Sequence, residues 1–184
     1  MERGKIDIEE IKSHIYLCQD KEWINVDDTN CYAYALGLDY PEYDILSHAY
    51  QLGVIGSIKN GYHPMDVCFL SHEERLKLDL KTLKIKFKEI DPREKSFCKT
   101  NYFMGKLYSI DYYWSIALYS DEDDFHFLRK GFDGKWYQKN GYHSSPVDYD
   151  RDNEIIMDPR TCNLGDYEYR NTYQLKLTRK ANKC

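Results

Sequence analysis

The hydrophobic period of this chain changes once, near Leu83, and that change restricts what it can fold into. Before it, apolar residues recur at helical spacing. Ile6, Ile8, Ile11, Ile15 and Leu17, with Glu9 and Glu10, predict an amphipathic helix over about residues 7–18. Asp27-Asp-Thr-Asn30 is a cluster of helix-capping residues. It leads into the short apolar run Cys31-Tyr-Ala-Tyr-Ala-Leu36, with Gly37 as its stop. Residues 43–55, after Pro41, read as a third helix ending near Gly56. Ser71-His-Glu-Glu74 fits a capping box that opens a helix through about Leu83. From Leu83 the pattern becomes alternating. Residues 83–90 predict a strand with a lysine face in water, and residues 114–120 a buried strand. Residues 125–130 and 135–139 flank Gly131-Phe-Asp-Gly134, a hairpin turn, and residues 154–157 and 172–177 add two short strands. Helices first and an antiparallel sheet afterwards make the class α+β. Without an internal repeat or a linker-like stretch, residues 1–184 read as a single domain.

Charge narrows the function. Lys and Arg number 26 against 31 Asp and Glu, a net charge of −5, so the concentrated positive surface that nucleic-acid binding needs is missing. No stretch approaches the roughly twenty apolar residues of a membrane span, and the chain opens without a secretory pattern. The expected setting is therefore cytoplasmic, with export by a leaderless route left open, and the expected partner is a protein or peptide substrate, with no nucleic acid and no membrane. The oligomeric state is not legible. The six cysteines, Cys18, Cys31, Cys68, Cys98, Cys162 and Cys184, are scattered with no Cys-x-x-Cys pair, which argues for free thiols and against a zinc site. The 18 tyrosines favour sheet, where a ring lies half buried with its hydroxyl in water.

Chemistry points first to Cys31. At the start of a helix, free N–H groups and the helix dipole favour a thiolate and can receive an oxyanion. Such a nucleophile needs a base. His126, in the strand Asp124-Phe-His-Phe-Leu128, points by alternation to the face opposite Phe125 and Phe127. Core packing alone also accounts for a cysteine in an apolar helix, so the pair carries more weight than either residue. His143 is the rival base, in a predicted loop, and His63 is placed to line a cleft; His14, His48 and His72 fall on predicted helices and read as exposed. Residues 148–155 imitate the start of a calcium loop, but Asn153 stands where glycine is wanted and Pro159 where the last carboxylate belongs. The stretch reads as a solvated acidic turn, and neither a metal nor a cofactor is expected.

The blocks Asn30-Cys31-Tyr-Ala-Tyr-Ala-Leu36, Asp124-Phe-His126-Phe-Leu-Arg129, Asp133-Gly-Lys-Trp136-Tyr-Gln-Lys-Asn-Gly141 and Asp158-Pro159 occur in that order. Together they resemble a bacterial and viral group of papain-like cysteine hydrolases, over about residues 27–160. In that group an Asn-Cys-Tyr-Ala-Tyr-Ala-Leu block precedes Asp-Tyr-His-Trp-Tyr-Arg, Gly-x-Trp-Ser-His-Lys-x-Gly and an Asp-Pro. The resemblance implies a papain-like fold with Cys31 as nucleophile and His126 as general base and acid. It leaves the orienting residue open between Gln138, which replaces the group's second histidine, Asp158 and Asn140. An oxyanion donor would come from the Cys31 N–H with Asn25 or Asn30, unless Asn30 caps the helix. The function expected is a thiol-dependent amide hydrolase, whether peptidase, deamidase or amidase. The alternative is an inert protein-binding module, an effector or inhibitor, on the same fold.

Overall fold

The alternating half of the chain builds one antiparallel sheet, and short helices cover one of its faces. The computed structural model describes residues 8–13, 15, 29–38, 54–56, 58, 69–141 and 144–181. Its helices are α1 (Ile8–Ser13), α2 (Cys31–Leu36) and α3 (His72–Thr82). Its strands are β1 (Lys86–Glu89), β2 (Phe97–Phe103), β3 (Lys106–Ser120), β4 (Phe125–Lys130), β5 (Trp136–Gln138) and β6 (Glu168–Lys180). The sheet runs β1-β6-β3-β4-β5, with β2 paired to β3 off that path. Strand β3 is the spine. It pairs with β6 from Ser109 to Ser120, with β4 from Ile116 to Ser120 and with β2 from Lys106 to Tyr113.

The period-2 pattern of these strands sorts side chains onto two faces. Trp114, Ile116 and Leu118 of β3, Phe127 of β4, and Tyr173, Leu175 and Leu177 of β6 form the larger core with α2, α3, Ile11 and Ile15. Ala117, Tyr119, Leu128 and Trp136 face the other way and pack on Ile156 and Leu164. Every residue of α2 is buried, so six residues that would not hold a helix in isolation are held by packing. Local chemistry fixes its ends: Asn30 caps it, Gly37 stops it with φ of 80°, and Trp114 Nε1 donates to the Ala35 carbonyl at 3.1 Å. The predicted capping box is present at α3, where Ser71 and Glu74 bond each other's backbone N–H. No helix among the described residues is long and apolar enough to cross a membrane.

The structure is mixed α/β with an antiparallel six-stranded sheet, in keeping with the α+β expectation, and several boundaries differ. The first helix covers only Ile8–Ser13, because Ile15 leaves it to bridge Leu38 beside α2. Of the third predicted helix, residues 43–53 lie outside the described residues and 54–56 form a bend and turn. The strand expected from residue 83 begins at Lys86: Leu83 closes α3 and Lys84, with φ of 54°, turns the chain first. Residues 154–157 make no strand, only a bridge from Ile155 to Tyr149, because Asp150 gathers the N–H groups of Asp152, Glu154 and Asn163 into a loop. The long β2–β3 hairpin carries no regular apolar alternation in its sequence, and periodicity passes over it.

Candidate functional site

Asn30 acts as the N-cap of α2, its side-chain oxygen accepting from the Tyr32 and Ala33 N–H groups at 3.1 and 3.0 Å. Asn30 therefore serves the helix rather than an oxyanion, and the Cys31 N–H is not one of the two groups it caps. The cap sets Cys31 at the helix start, where the backbone N–H dipoles of Phe127 and Tyr32 act on its sulfur in favour of the thiolate. The first of these has a reason in strand register. Strand β5 ends at Gln138, opposite Leu128, so it provides no rung for Phe127, which leaves that N–H open to act on the sulfur. The nucleophile candidate thus lies against the strand that carries His126, but on its Phe127 side, and no hydrogen bond joins the Cys31 and His126 side chains.

Lys139 secures this junction. It is fully buried, and its ammonium donates to the carbonyls of Thr29, just ahead of the α2 cap, and of Gly141, the latter at 2.5 Å. A cation at this position also favours a thiolate at Cys31. Burial outweighs it. The sulfur, 7% exposed within the larger core, has its pKa pushed up to about 12, against the pull of the two backbone N–H groups and of Lys139. The lowered thiol pKa expected from the helix end is therefore not found. A helix of six residues has a small dipole, and desolvation of the charged sulfur is the larger effect.

His126 points away from Phe125 and Phe127, as alternation requires, but it is no surface residue. It is 7% exposed, and Tyr167 stacks on its ring at 5.7 Å and 26°. Its Nε2 lies 3.0 Å from Gln138 Oε1, and the Gln138 amide nitrogen donates to the Tyr149 carbonyl at 2.6 Å. Burial lowers the His126 pKa from its ordinary 6.5, and Arg151 adds to this; the Gln138 bond and the Asp124 carboxylate act the other way. Asp124 also accepts from the Tyr167 hydroxyl at 2.6 Å, so the acidic loop before β4 holds the ring that covers His126. On this face of the sheet a cavity of about 340 Å³ is lined by His126, Gln138, Asn140, Tyr149, Arg151 and Tyr167, among others. Cys31 is not among its lining residues.

Of the three candidates for the orienting residue, Gln138 is the one bonded to His126. The Asp158 carboxylate is instead gripped by Arg160, with Nε at 2.9 and 3.2 Å and Nη2 at 2.5 Å, which also holds its pKa down. Asn140 lines the cavity. Asn25, His63 and His143 lie outside the described residues, as do His14 and His48. His72, expected to be exposed, is half buried against the Phe125 ring at 5.6 Å. Sequence reasoning missed Lys139 and Tyr167. An isolated lysine and one tyrosine among 18 carry no local signal, and only the fold brings them to the site. No protein-family model matches this chain, and no curated protein or solved structure matches it either.

Proposed function

We propose that this protein is a thiol-dependent amide hydrolase on a papain-like fold, with Cys31 as nucleophile and His126 as general base and acid. The observation that carries the reading is the packing of α2, which Cys31 opens, against β4, whose His126 has its Nε2 held by Gln138. A thiol with a pKa near 12 and a histidine held neutral by burial do not form a resting ion pair. The reaction then runs by general-base assistance. The thiol proton passes to His126 Nδ1 as the sulfur–carbon bond forms and the carbonyl electrons move to oxygen, a transfer that requires substrate binding to bring the core-facing sulfur round to the ring. Collapse of that intermediate breaks the carbon–nitrogen bond, the leaving nitrogen takes the proton from His126, and water cleaves the thioester to release the acid. Gln138 serves as positioning residue by fixing the tautomer.

The burial of Cys31 and its absence from the cavity lining favour a second reading, an inert protein-binding module on the same scaffold. A peptide carrying a vinyl electrophile separates the two. Hydrolase chemistry predicts covalent labelling at Cys31 ahead of the other five cysteines and loss of that labelling in His126→Ala. Slow, indiscriminate labelling that His126→Ala leaves unchanged supports the binding module and overturns the hydrolase.

A further inference from the structure

Ten large apolar side chains are exposed among the described residues, and six of them belong to one hairpin: Phe97, Tyr102, Phe103, Met104, Leu107 and Tyr108. The hairpin also overhangs the sheet. Strand β6 leaves β3 at Ser109, so among the described residues 102–108 pair only with each other. At the tip Met104 is 87% exposed, Tyr102 67% and Phe103 62%, and among the described residues no further strand or core cluster covers them. Exposed apolar side chains gathered at one tip mark an interaction surface.

The turn adds an independent observation. Met104 and Gly105 have φ of 48° and 74°, two successive left-handed residues closing the hairpin. Asn-Gly relaxes such a turn, whereas a methionine there carries backbone strain. The chain holds a long thioether at its outermost point in spite of that cost, which points to use of the side chain itself.

Charge selects the occupant. The chain carries −5 overall, yet residues 95–110 contain Lys95, Lys99 and Lys106 and no Asp or Glu. Lys99 and Lys106 are exposed and form no ion pair among the described residues. A second copy docked about a two-fold axis would set these lysines against their own counterparts. Addition of a foreign strand to the β2 edge is opposed by Lys99 and by the register shift between Asn101 and Tyr102, both of which blunt an edge. An apolar, aromatic, convex tip with a cationic collar matches an anionic lipid surface.

We propose that the β2–β3 hairpin is a membrane-docking wedge, its tip entering the headgroup layer of an anionic bilayer with Lys99 and Lys106 on the lipid phosphates and carboxylates. The expectation of no membrane contact rested on the lack of a spanning segment, and a wedge of this kind needs none. The acidic remainder of the molecule is repelled by the same surface, so the protein docks hairpin first.

Co-sedimentation of the full chain with phosphatidylcholine vesicles, with and without phosphatidylserine, tests this. Binding is expected only with phosphatidylserine and is expected to weaken as salt is raised. Lys106→Ala is expected to lower the affinity about fivefold, the weight of one lysine near an anionic surface. Phe103→Asp is expected to abolish binding. Met104→Asn keeps the fold under control: it relaxes the turn, so thermal stability should hold or rise while vesicle binding falls. Absence of binding to phosphatidylserine vesicles overturns the proposal. So does binding that Phe103→Asp leaves intact, or a dimer in solution that Phe103→Asp dissolves.

Discussion

The side-chain amide of Gln138 has one available orientation toward His126. Its nitrogen is committed to the Tyr149 carbonyl at 2.6 Å, so its oxygen faces Nε2 at 3.0 Å and accepts from it. The proton of the neutral ring is therefore on Nε2, and Nδ1 holds the lone pair that a general base uses.

Gln138→Glu tests this arrangement. A carboxylate in place of the amide oxygen favours the imidazolium, whereas burial now holds the His126 pKa below 6.5. Proton NMR titration should show His126 titrating below the ordinary value in the wild type and distinctly higher in Gln138→Glu. The sign for stability follows. Because the unfolded chain binds this proton more readily, His126 stabilises the fold above pH 6.5 and destabilises it progressively as pH falls below that value. An unchanged titration in Gln138→Glu would mean that the two side chains do not meet in solution.

Cys31 should be the slow thiol toward a small alkylating agent. Its pKa near 12 and 7% exposure leave little thiolate at neutral pH, while Cys98 is exposed on β2. Mass spectrometry after brief iodoacetamide treatment is expected to find Cys98 modified well before Cys31. The peptide electrophile reverses that order if Cys31 is catalytic. Faster modification of Cys31 by iodoacetamide would show a preformed thiolate, which contradicts the burial.

Lys139 links the two halves of the site. Lys139→Met keeps the apolar stem but removes the ammonium donor from the Thr29 and Gly141 carbonyls, the second of which keeps a long bond from the Ser144 hydroxyl at 3.4 Å. The expected cost is about 2 kcal/mol, from two carbonyls that each lose a charged donor at roughly 1 kcal/mol net. Urea unfolding measures it. A cost under about 0.5 kcal/mol, the range of ordinary surface substitutions, would show that the ammonium does not hold the α2 entry.

What was legible in the sequence is what short-range chemistry decides. The Asn30 cap, the Gly37 stop and the Ser71–Glu74 box are satisfied within a few residues, and all three are found as expected. The direction of His126 followed from alternation alone. The burial of Cys31 did not, because it depends on the packing of α2 against β4 and the larger core, long-range contacts that a local pattern does not encode. The same holds for Lys139, whose partners at Thr29 and Gly141 come together only through tertiary structure. The β2–β3 hairpin was hidden for a different reason. Exposed on both faces along much of its length, it has no buried side to impose an apolar rhythm.

Asp79 on α3 supplies the last prediction. This fully buried carboxylate accepts from the Tyr32 hydroxyl at 2.6 Å and from the Gly56 and Ile58 N–H groups at 2.6 and 3.1 Å, tying α2 and the turn before α3 to one point. Desolvation raises its pKa from 3.8 to about 7 despite those three donors. A folded-state value above the unfolded one means that stability is greatest below pH 3.8 and is lost as pH rises through 7. Asp79→Asn removes that slope and leaves the opposite one from His126. At pH 4 it should also cost roughly 1–3 kcal/mol, because its amide N–H groups oppose donors. Asp79→Ala orphans all three donors and should cost more. Urea midpoints of the wild type and both variants from pH 4 to 8 decide the matter: parallel pH profiles for wild type and Asp79→Asn would refute the assigned role of Asp79.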